Sequence, residues 1–508
     1  MKRIIVFFII GGLLMPEFYA QNINDALRYS MDQINGTARF NAMGGAFGSL
    51  GGDLSAIAIN PAGSAVFLNN SASASLNVTN ADQNATYFSS TESTSFSNID
   101  FNQAGFVFVF NNTNQESKWN KFTIGLNYVN TQNFDQDLFI SGIGNSSIGN
   151  FFLEQAQGVP LDLLQLQSGE TIASLYGYLG ENFGTSYQNA FLGYQGYIFD
   201  PVDPNDIENT LYTSAVAPGD FNQKYIYITR GFNAQYTFNF ATQYKDRFYF
   251  GINLNSHNID YTQYNFLEEN NTNAGSSIRY IGFENRLNVL GEGFSAQAGI
   301  IAKINSEIRV SASYKTPTWY TISEETIQFL ETDRIDGANI ITTTVDPQTL
   351  NIFADYRLQT PGKIATGFAY VFGTRGLISL DYEYTDYSSI RFKPQNDSYF
   401  SNQNMILSNN LKAVSTIRLG GEFKHERWSF RGGFRFEESP YKNGNTIGDT
   451  TVFSTGLGYD FGTITLDLSY SRLSQSRKQS LYDVGLTSAA SIDANINTFV
   501  LTLGYGLW

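Results

Sequence analysis

The chain has 508 residues, a formal charge of −15, 31 Tyr, 42 Phe, two His and no Cys. Its acidic balance excludes nucleic acid as a partner, since phosphates would be repelled. Without Cys there is no lipid-anchored N-terminus, disulfide framework or thiolate metal site, and two histidines cannot supply a three-histidine zinc site.

Residues 1–20 open with Lys2 and Arg3, continue through an apolar run at 4–14 and end at Ala20. That order predicts a signal peptide cut before Gln21, and the run is too short to span a membrane as a helix. Loss of Lys2, Arg3 and Glu17 takes the formal charge from −15 to −16. Residues 21–67 show no period of two. Gly44, Gly45, Gly48, Gly51 and Gly52 allow close approach to a wall, and Asn60-Pro61 favours a turn. Such a segment cannot bury a core of its own, so it is expected to fill the lumen of a larger structure as a plug.

From residue 68 onward the chain alternates. Trp428, Phe430, Phe434 and Phe436 oppose Ser429, Arg431, Arg435 and Glu437, and Ile378, Leu380, Tyr382 and Tyr384 oppose Ser379, Asp381, Glu383 and Thr385. The same period runs through 248–254 and 464–470. Short links near 111–120, 242–247, 303–306, 373–375, 424–427 and 461–463 alternate with long polar segments near 81–100, 141–222, 265–280, 324–350, 387–410, 438–449 and 473–494. Tight turns on one side and long loops on the other are the asymmetry of an outer-membrane barrel. The count predicts about fourteen antiparallel strands with both chain ends on the periplasmic side, closed because an open sheet would expose edges. The expected fold is therefore all-β, a membrane β-barrel over 68–508 with an N-terminal plug at 21–67. Only 42% of residues are hydrophobic, which suits a polar lumen.

In the last strand Phe499, Leu501, Leu503, Tyr505 and Leu507 are in phase and Trp508 is out of phase. An apolar strand ending in an aromatic residue suits recognition by the outer-membrane assembly machinery. The lumen-facing charges Asp381, Glu383, Arg418, Glu422, Arg431, Arg435, Glu437 and Asp467 are expected to pair across the wall rather than line a wet channel.

Residues 38–47 (Ala-Arg-Phe-Asn-Ala-Met-Gly-Gly-Ala-Phe) with Asn60-Pro61-Ala62-Gly63 resemble the plug of the FadL/TodX family of outer-membrane fatty-acid and hydrocarbon transporters. Asp381-Tyr382-Glu383-Tyr384, Arg418-Leu419-Gly420-Gly421, Arg431-Gly432-Gly433-Phe434 and Gly456-Leu457-Gly458-Tyr459 follow in the family's order. The resemblance implies a fourteen-stranded barrel with an N-terminal hatch. It implies passive transport of long-chain fatty acids or aromatic hydrocarbons in the outer membrane of a Gram-negative bacterium, with no cofactor and no metal. It also implies sideways release through a kinked early strand, for which Gly125 is the candidate. Gly44, Gly45, Asn60, Pro61, Ala62 and Gly63 are the expected gate. Expected partners are the hydrophobic cargo, outer-membrane lipid and lipopolysaccharide, around a monomer.

The 141–222 connection is long enough to carry a function. Its pieces 161–166 and 172–179 suit short amphipathic helices. Phe151, Phe152, Leu163, Leu164, Leu175 and Tyr178 are the expected ligand-binding groove, the alternative being that they pack the loop onto the barrel rim. Other functions remain open from the residues alone: a haem or hydrophobic-ligand receptor, a polar-solute porin, a structural barrel, or a lipid hydrolase using His257.

Overall fold

The computed structural model describes residues 22–33, 35–114 and 116–507. The expected signal peptide at 1–20 and Trp508 lie outside the described residues.

Fourteen strands form the wall. In chain order they are β1 (Asn70–Tyr87), β2 (Ser90–Asn111), β3 (Trp119–Asn133, continued by Gln136–Gly144), β4 (Phe221–Tyr244), β5 (Phe248–Asn270), β6 (Ile278–Lys303) and β7 (Ile308–Lys315, continued by Trp319–Asp336). Then come β8 (Tyr356–Gln359 and Lys363–Val371), β9 (Gly376–Asp386 and Arg391–Lys393), β10 (Ala413–His425), β11 (Trp428–Glu437), β12 (Thr450–Asp460), β13 (Ile464–Ser480) and β14 (Ala489–Leu507). Neighbours in sequence pair antiparallel, and β1 pairs with β14 from Asn70↔Leu507 to Thr86↔Ser491, which closes the barrel. Prolines break β7 at Thr316-Pro317-Thr318 and β8 at Thr360-Pro361-Gly362, where a ladder donor is missing.

The alternation sorts the side chains as expected. Phe248, Phe250, Ile252 and Leu254 on β5 point outward and are exposed, while Tyr249, Gly251, Asn253 and Asn255 face in. The same outward band includes Leu380 and Tyr382 on β9, Phe430 on β11 and Leu501 and Leu503 on β14. Such a belt is stable only against lipid. Trp119 against Tyr244 and Trp428 against Tyr459 mark its periplasmic edge.

The tight turns lie where the short links predict them, at 112–118, 245–247, 304–307, 372–375, 426–427 and 461–463. The long polar segments are corrected. Residues 81–100 are not a loop: β1 and β2 run through them and turn at Phe88-Ser89. Most of 265–280 and 473–494 is strand as well, and 324–350 folds β7 back onto Asn339–Val345. Falling hydropathy there marks where the outward face meets water, not where the strand ends.

The segment near 387–412 carries a helix at Ser398–Asn410, and 438–449 is a true loop. The N-terminal segment holds two short helices, α1 (Ile23–Arg28) and α2 (Ala38–Ala42). The longest connection, about 145–220, forms a cap. It contains helices α3 (Gly149–Ala156), α4 (Ile172–Phe183) and α5 (Thr185–Gln195) and a small hairpin of Phe199–Pro201 with Tyr212–Ser214. Thr171 caps α4 with its side chain on the Ser174 amide, an N-terminal signal legible in the sequence. The cap has its own core, continuous with Tyr87, Leu138, Leu267, Phe283, Leu330 and Ile492 at the outer ends of the strands.

Candidate functional site

Residues 36–67 fill the periplasmic half of the lumen. Asn60 organises this seal: its side-chain oxygen accepts from the Ala62 amide at 3.1 Å, and its Nδ2 donates to the carbonyls of Gly48 at 3.0 Å and Ile300 at 3.1 Å. Asn239 donates to the Pro61 carbonyl, Asn253 to Ile57, and both Gln297 and Ser313 to Ile59. On the opposite side Asp381 accepts from the Gly48 amide at 2.7 Å and Thr502 from the Ala38 amide at 2.7 Å. Backbone carbonyls of an irregular segment must find donors, and here the wall supplies them. It also supplies room. Gly251, Gly299, Gly367, Gly420, Gly433 and Gly456 face inward on six strands, and a Cβ at each would overlap Pro61, Asn60, Ser49, Met43, Gly44 and Ala42 respectively.

Seven of the eight lumen charges pair as expected, and Asp381 instead accepts from the Gly48 amide. Arg431 bridges Glu422 at 2.7 Å and Asp467 at 2.5 Å, Arg418 meets Glu383 at 2.9 Å, and Arg435 meets Glu437. Arg39 of the N-terminal segment joins this network through Glu422 at 2.8 Å.

Above the seal lies a cavity of about 680 Å³ lined largely by amides and hydroxyls, among them Asn77, Thr79, Gln132, Gln263 and Asn285. An N-terminal arm, residues 22–33, forms one side of it. Its helix α1 (Ile23–Arg28) carries an Asn22–Asp25 capping box and an Arg28–Asp25 pair at 2.6 Å, and Arg28 stacks over Tyr261 at 4.4 Å. Asp32 is tied to Lys363 at 2.7 Å.

One side of the cavity reaches a discontinuity in the wall. The ladder between β2 and β3 runs from Asn111↔Lys121 to Gln103↔Val129 and stops there. Beyond it β2 stays with β1, and β3 stays with β4 after a register shift at Asn130/Gln132. Side chains close this seam. Asn133 donates to Asp100 at 2.6 Å, Asn98 donates to Asp100 at 2.9 Å and to Asp135, and Ser141 donates to Glu92 at 2.6 Å. The N-terminal segment touches both sides of the seam: the Gln33 amide of the arm donates to the Thr131 carbonyl on β3 at 2.9 Å, and Asn102 on β2 donates to the Gly36 carbonyl at the start of the seal at 2.7 Å. Asn98, Asn133 and Asp135 also line the cavity. On the lipid-facing side, next to the end of the ladder, a groove of about 660 Å³ is framed by Ala104, Phe106, Tyr128, Tyr236 and Phe294.

The residues singled out from the sequence fall in two places. Gly44, Gly45, Asn60, Pro61, Ala62 and Gly63 are all in the periplasmic seal. Phe151, Phe152, Leu164 and Leu175 are buried in the core of the cap, Leu163 packs partly against it, and Tyr178 is exposed on α4 beside Phe183. The six therefore do not line one open groove, and burial among one another accounts for four of them. Gly125 lies within the regular β2–β3–β4 ladder, so the wall irregularity is elsewhere, at 130–135. His257 is buried, with Nε2 at 2.9 Å from Ser295 Oγ, and neither residue lines the cavity. Gln33, Gly36, Asn98, Asp100, Asn102, Asn133 and Asp135 were not legible as site residues. Their one signal is an excess of Asn and Asp within segments that alternate as strands.

A family model described as outer membrane protein transport protein (OMPP1/FadL/TodX) matches residues 228–506. Among solved structures, a Pseudomonas aeruginosa FadL homologue is 13% identical over 94% of this chain and 99% of that one, with a TM-score of 0.54. A deltaS2 mutant of TodX, named a monoaromatic hydrocarbon channel, is 13% identical over 93% and 99%, with a TM-score of 0.50. The P. putida toluene transporter TodX is 14% identical over 94% and 99%, with a TM-score of 0.49. No curated protein sequence matches the chain. The family match spans more than half the residues, and the closed barrel agrees with it: the chain belongs to the OMPP1/FadL/TodX family of outer-membrane transport proteins.

Proposed function

We propose that the cargo, a long-chain fatty acid or an aromatic hydrocarbon, enters the lumen beside the cap and leaves sideways through the β2–β3 seam into the bilayer. The observation that carries this reading is the path itself. A cavity, a seam without backbone hydrogen bonds and a lipid-facing aromatic groove lie in series, while the periplasmic end is filled. Each CH₂ that moves into lipid contributes about 0.8 kcal/mol, so sideways release is downhill and needs no covalent chemistry. The cavity mixes amides and hydroxyls with apolar side chains such as Leu27, Phe96 and Leu287, a lining that suits passage rather than tight retention, since a single tight site would trap the cargo.

In this reading residues 36–67 are the fixed part of the plug, and the arm at 22–33 is the gate. Cargo in the cavity competes with α1 for space, and displacing the arm withdraws Gln33 from Thr131 and Asn133 on the β3 side of the seam. The exposed Tyr178 of α4, beside the half-buried Phe183, gives cargo a first contact. The closed barrel leaves no free strand edge, which supports a monomer, and β14 is the segment offered to the assembly machinery.

Because the chain has no Cys, Asn98→Cys with Asp135→Cys introduces the only two thiols. Joining them with a short bis-maleimide is expected to lower uptake of a labelled fatty acid or toluene by about tenfold or more, with the untreated double variant near wild type. Undiminished uptake after complete crosslinking would sink the lateral route.

A further inference from the structure

Above the apolar belt, strands β2, β1, β14 and β13 continue side by side into water. The belt ends on one row across all four: Ile99, Val78, Phe499 and Tyr470 are mutual neighbours and face outward. Every outward position in the next four rows is polar. On the β1–β2 hairpin Asn80, Asp82 and Asn84 take hydrogen bonds from Ser97 at 2.5 Å, Ser95 at 2.8 Å and Ser93 at 2.6 Å. On the β13–β14 side Ser474 donates to Asn495 at 2.9 Å and Ser476 to Asp493 at 2.5 Å. The two sets are in register, since Asp82 faces Asn495 and Asn84 faces Asp493 across the β1–β14 ladder. Arg472 and Lys478 flank the face on β13 and offset the charges of Asp82 and Asp493.

The result is a flat grid of hydroxyl, amide and carboxylate groups, with strands about 4.8 Å apart and rows about 6.7 Å apart. From Asn80 to Thr86 it rises about 20 Å along the strand, or about 15 Å above the belt at the usual tilt of about 40°. A phospholipid headgroup layer is only about 5–8 Å thick on each side, so the grid stands about twice as high. It is continuous with the lipid-facing wall and sits in the outer leaflet's headgroup zone. It presents donors and acceptors in place of aliphatic side chains. A row of polyhydroxylated rings carrying some phosphate matches its height, its flatness and its mixed charge.

We infer that this face docks the saccharide headgroup of an outer-leaflet glycolipid, a lipopolysaccharide-type molecule. The inference goes beyond the transport reading and rests only on placement in the outer membrane. It is tested by native mass spectrometry of the full chain after reconstitution in a mixture of such a glycolipid and phospholipid. Wild type is expected to retain glycolipid over phospholipid. Asn84→Glu with Asn495→Glu, which replaces two amides of the grid with carboxylates that repel the headgroup phosphates, is expected to retain at least about fivefold less. Asn258→Glu with Thr262→Glu, outward on β5, serves as the control and is expected to behave as wild type. Heat-dependent electrophoretic mobility confirms closed barrels, and Ser95→Ala with Ser476→Ala provides a milder grid variant if the glutamates prevent closure. Equal retention by the grid variants, an equal loss in the β5 control, equal retention of phospholipid, or grid-dependent dimers would each overturn the inference. Cargo uptake is expected to remain at the wild-type level in both glutamate pairs, which separates this question from the transport route.

Discussion

The two halves of the lumen are built on different principles. In the periplasmic half, residues 36–67 are held by carbonyl-to-wall hydrogen bonds on every side and pressed against glycines that leave no slack. In the outer half, the arm at 22–33 rests beside a cavity of about 680 Å³, and its hold on the seam consists of a few bonds between Gln33 and β3. In the proposed reading a seal and a gate ask for opposite energetics, and the chain assigns them to two consecutive stretches, 36–67 and 22–33, rather than to one element. The familiar Asn-Pro-Ala-Gly stretch belongs to the rigid half.

The contrast can be broken first at the wall. Gly433→Val puts a side chain where the Gly44 amide sits, so the seal cannot seat. Ion conductance in planar bilayers is expected to rise by about tenfold or more over a closed wild type. A silent bilayer with a folded variant would show that the seal tolerates displacement. Next, Glu422→Gln leaves Arg39 and Arg431 buried beside each other without their shared carboxylate. The barrel should lose about 3 kcal/mol, read as a lower midpoint of heat-dependent mobility, because a buried charge stripped of its partner is costly. The arm offers a gentler change. Deleting residues 22–33 removes α1 and the Gln33 bonds but none of 36–67, so hydrophobic uptake is expected to rise by roughly threefold without ion leak. Leak comparable to that of Gly433→Val would erase the distinction between the two halves.

The smallest effect concerns the cap. Glu269, at the outer end of β5, accepts from Ser147, the Ile148 amide and Gln223, but burial outweighs these donors and pushes its carboxyl above the ordinary range. A raised value in the docked state means that docking favours the protonated form. The cap is therefore held more firmly below the ordinary carboxylate range and loosens as pH rises through the raised value. Proteolysis within 145–220 should quicken by at most about twofold between pH 5 and pH 8, and Glu269→Gln should flatten that slope.

Much of the barrel could be read in advance because its signal is local. Alternation gives each strand its two faces, and a tight turn such as 245–247 is punctuated by its neighbours in sequence. The seam could not be read that way. The end of the β2–β3 ladder depends on where Gln103 and Val129 sit relative to strands far along the chain, and the polar stretch 81–100 hides strand beneath loop-like composition. The cap shows a related difficulty. Phe152 and Leu164 have the same composition whether they grip a ligand or one another, and only burial separates the two uses. The inward glycines were visible in the sequence, but their shared purpose emerges only when six strands are brought round the same segment.

That ring of glycines makes the plug and its wall a matched pair. A plug transplanted from a relative would bring side chains shaped for a different set of hollows, and a wall glycine cannot drift to alanine unless the segment inside shifts with it. Variation in this protein is therefore expected to come in coupled steps across distant positions, with Gly299 answering to Asn60 and Gly433 to Gly44. Chimeras should then succeed only when plug and barrel are exchanged together.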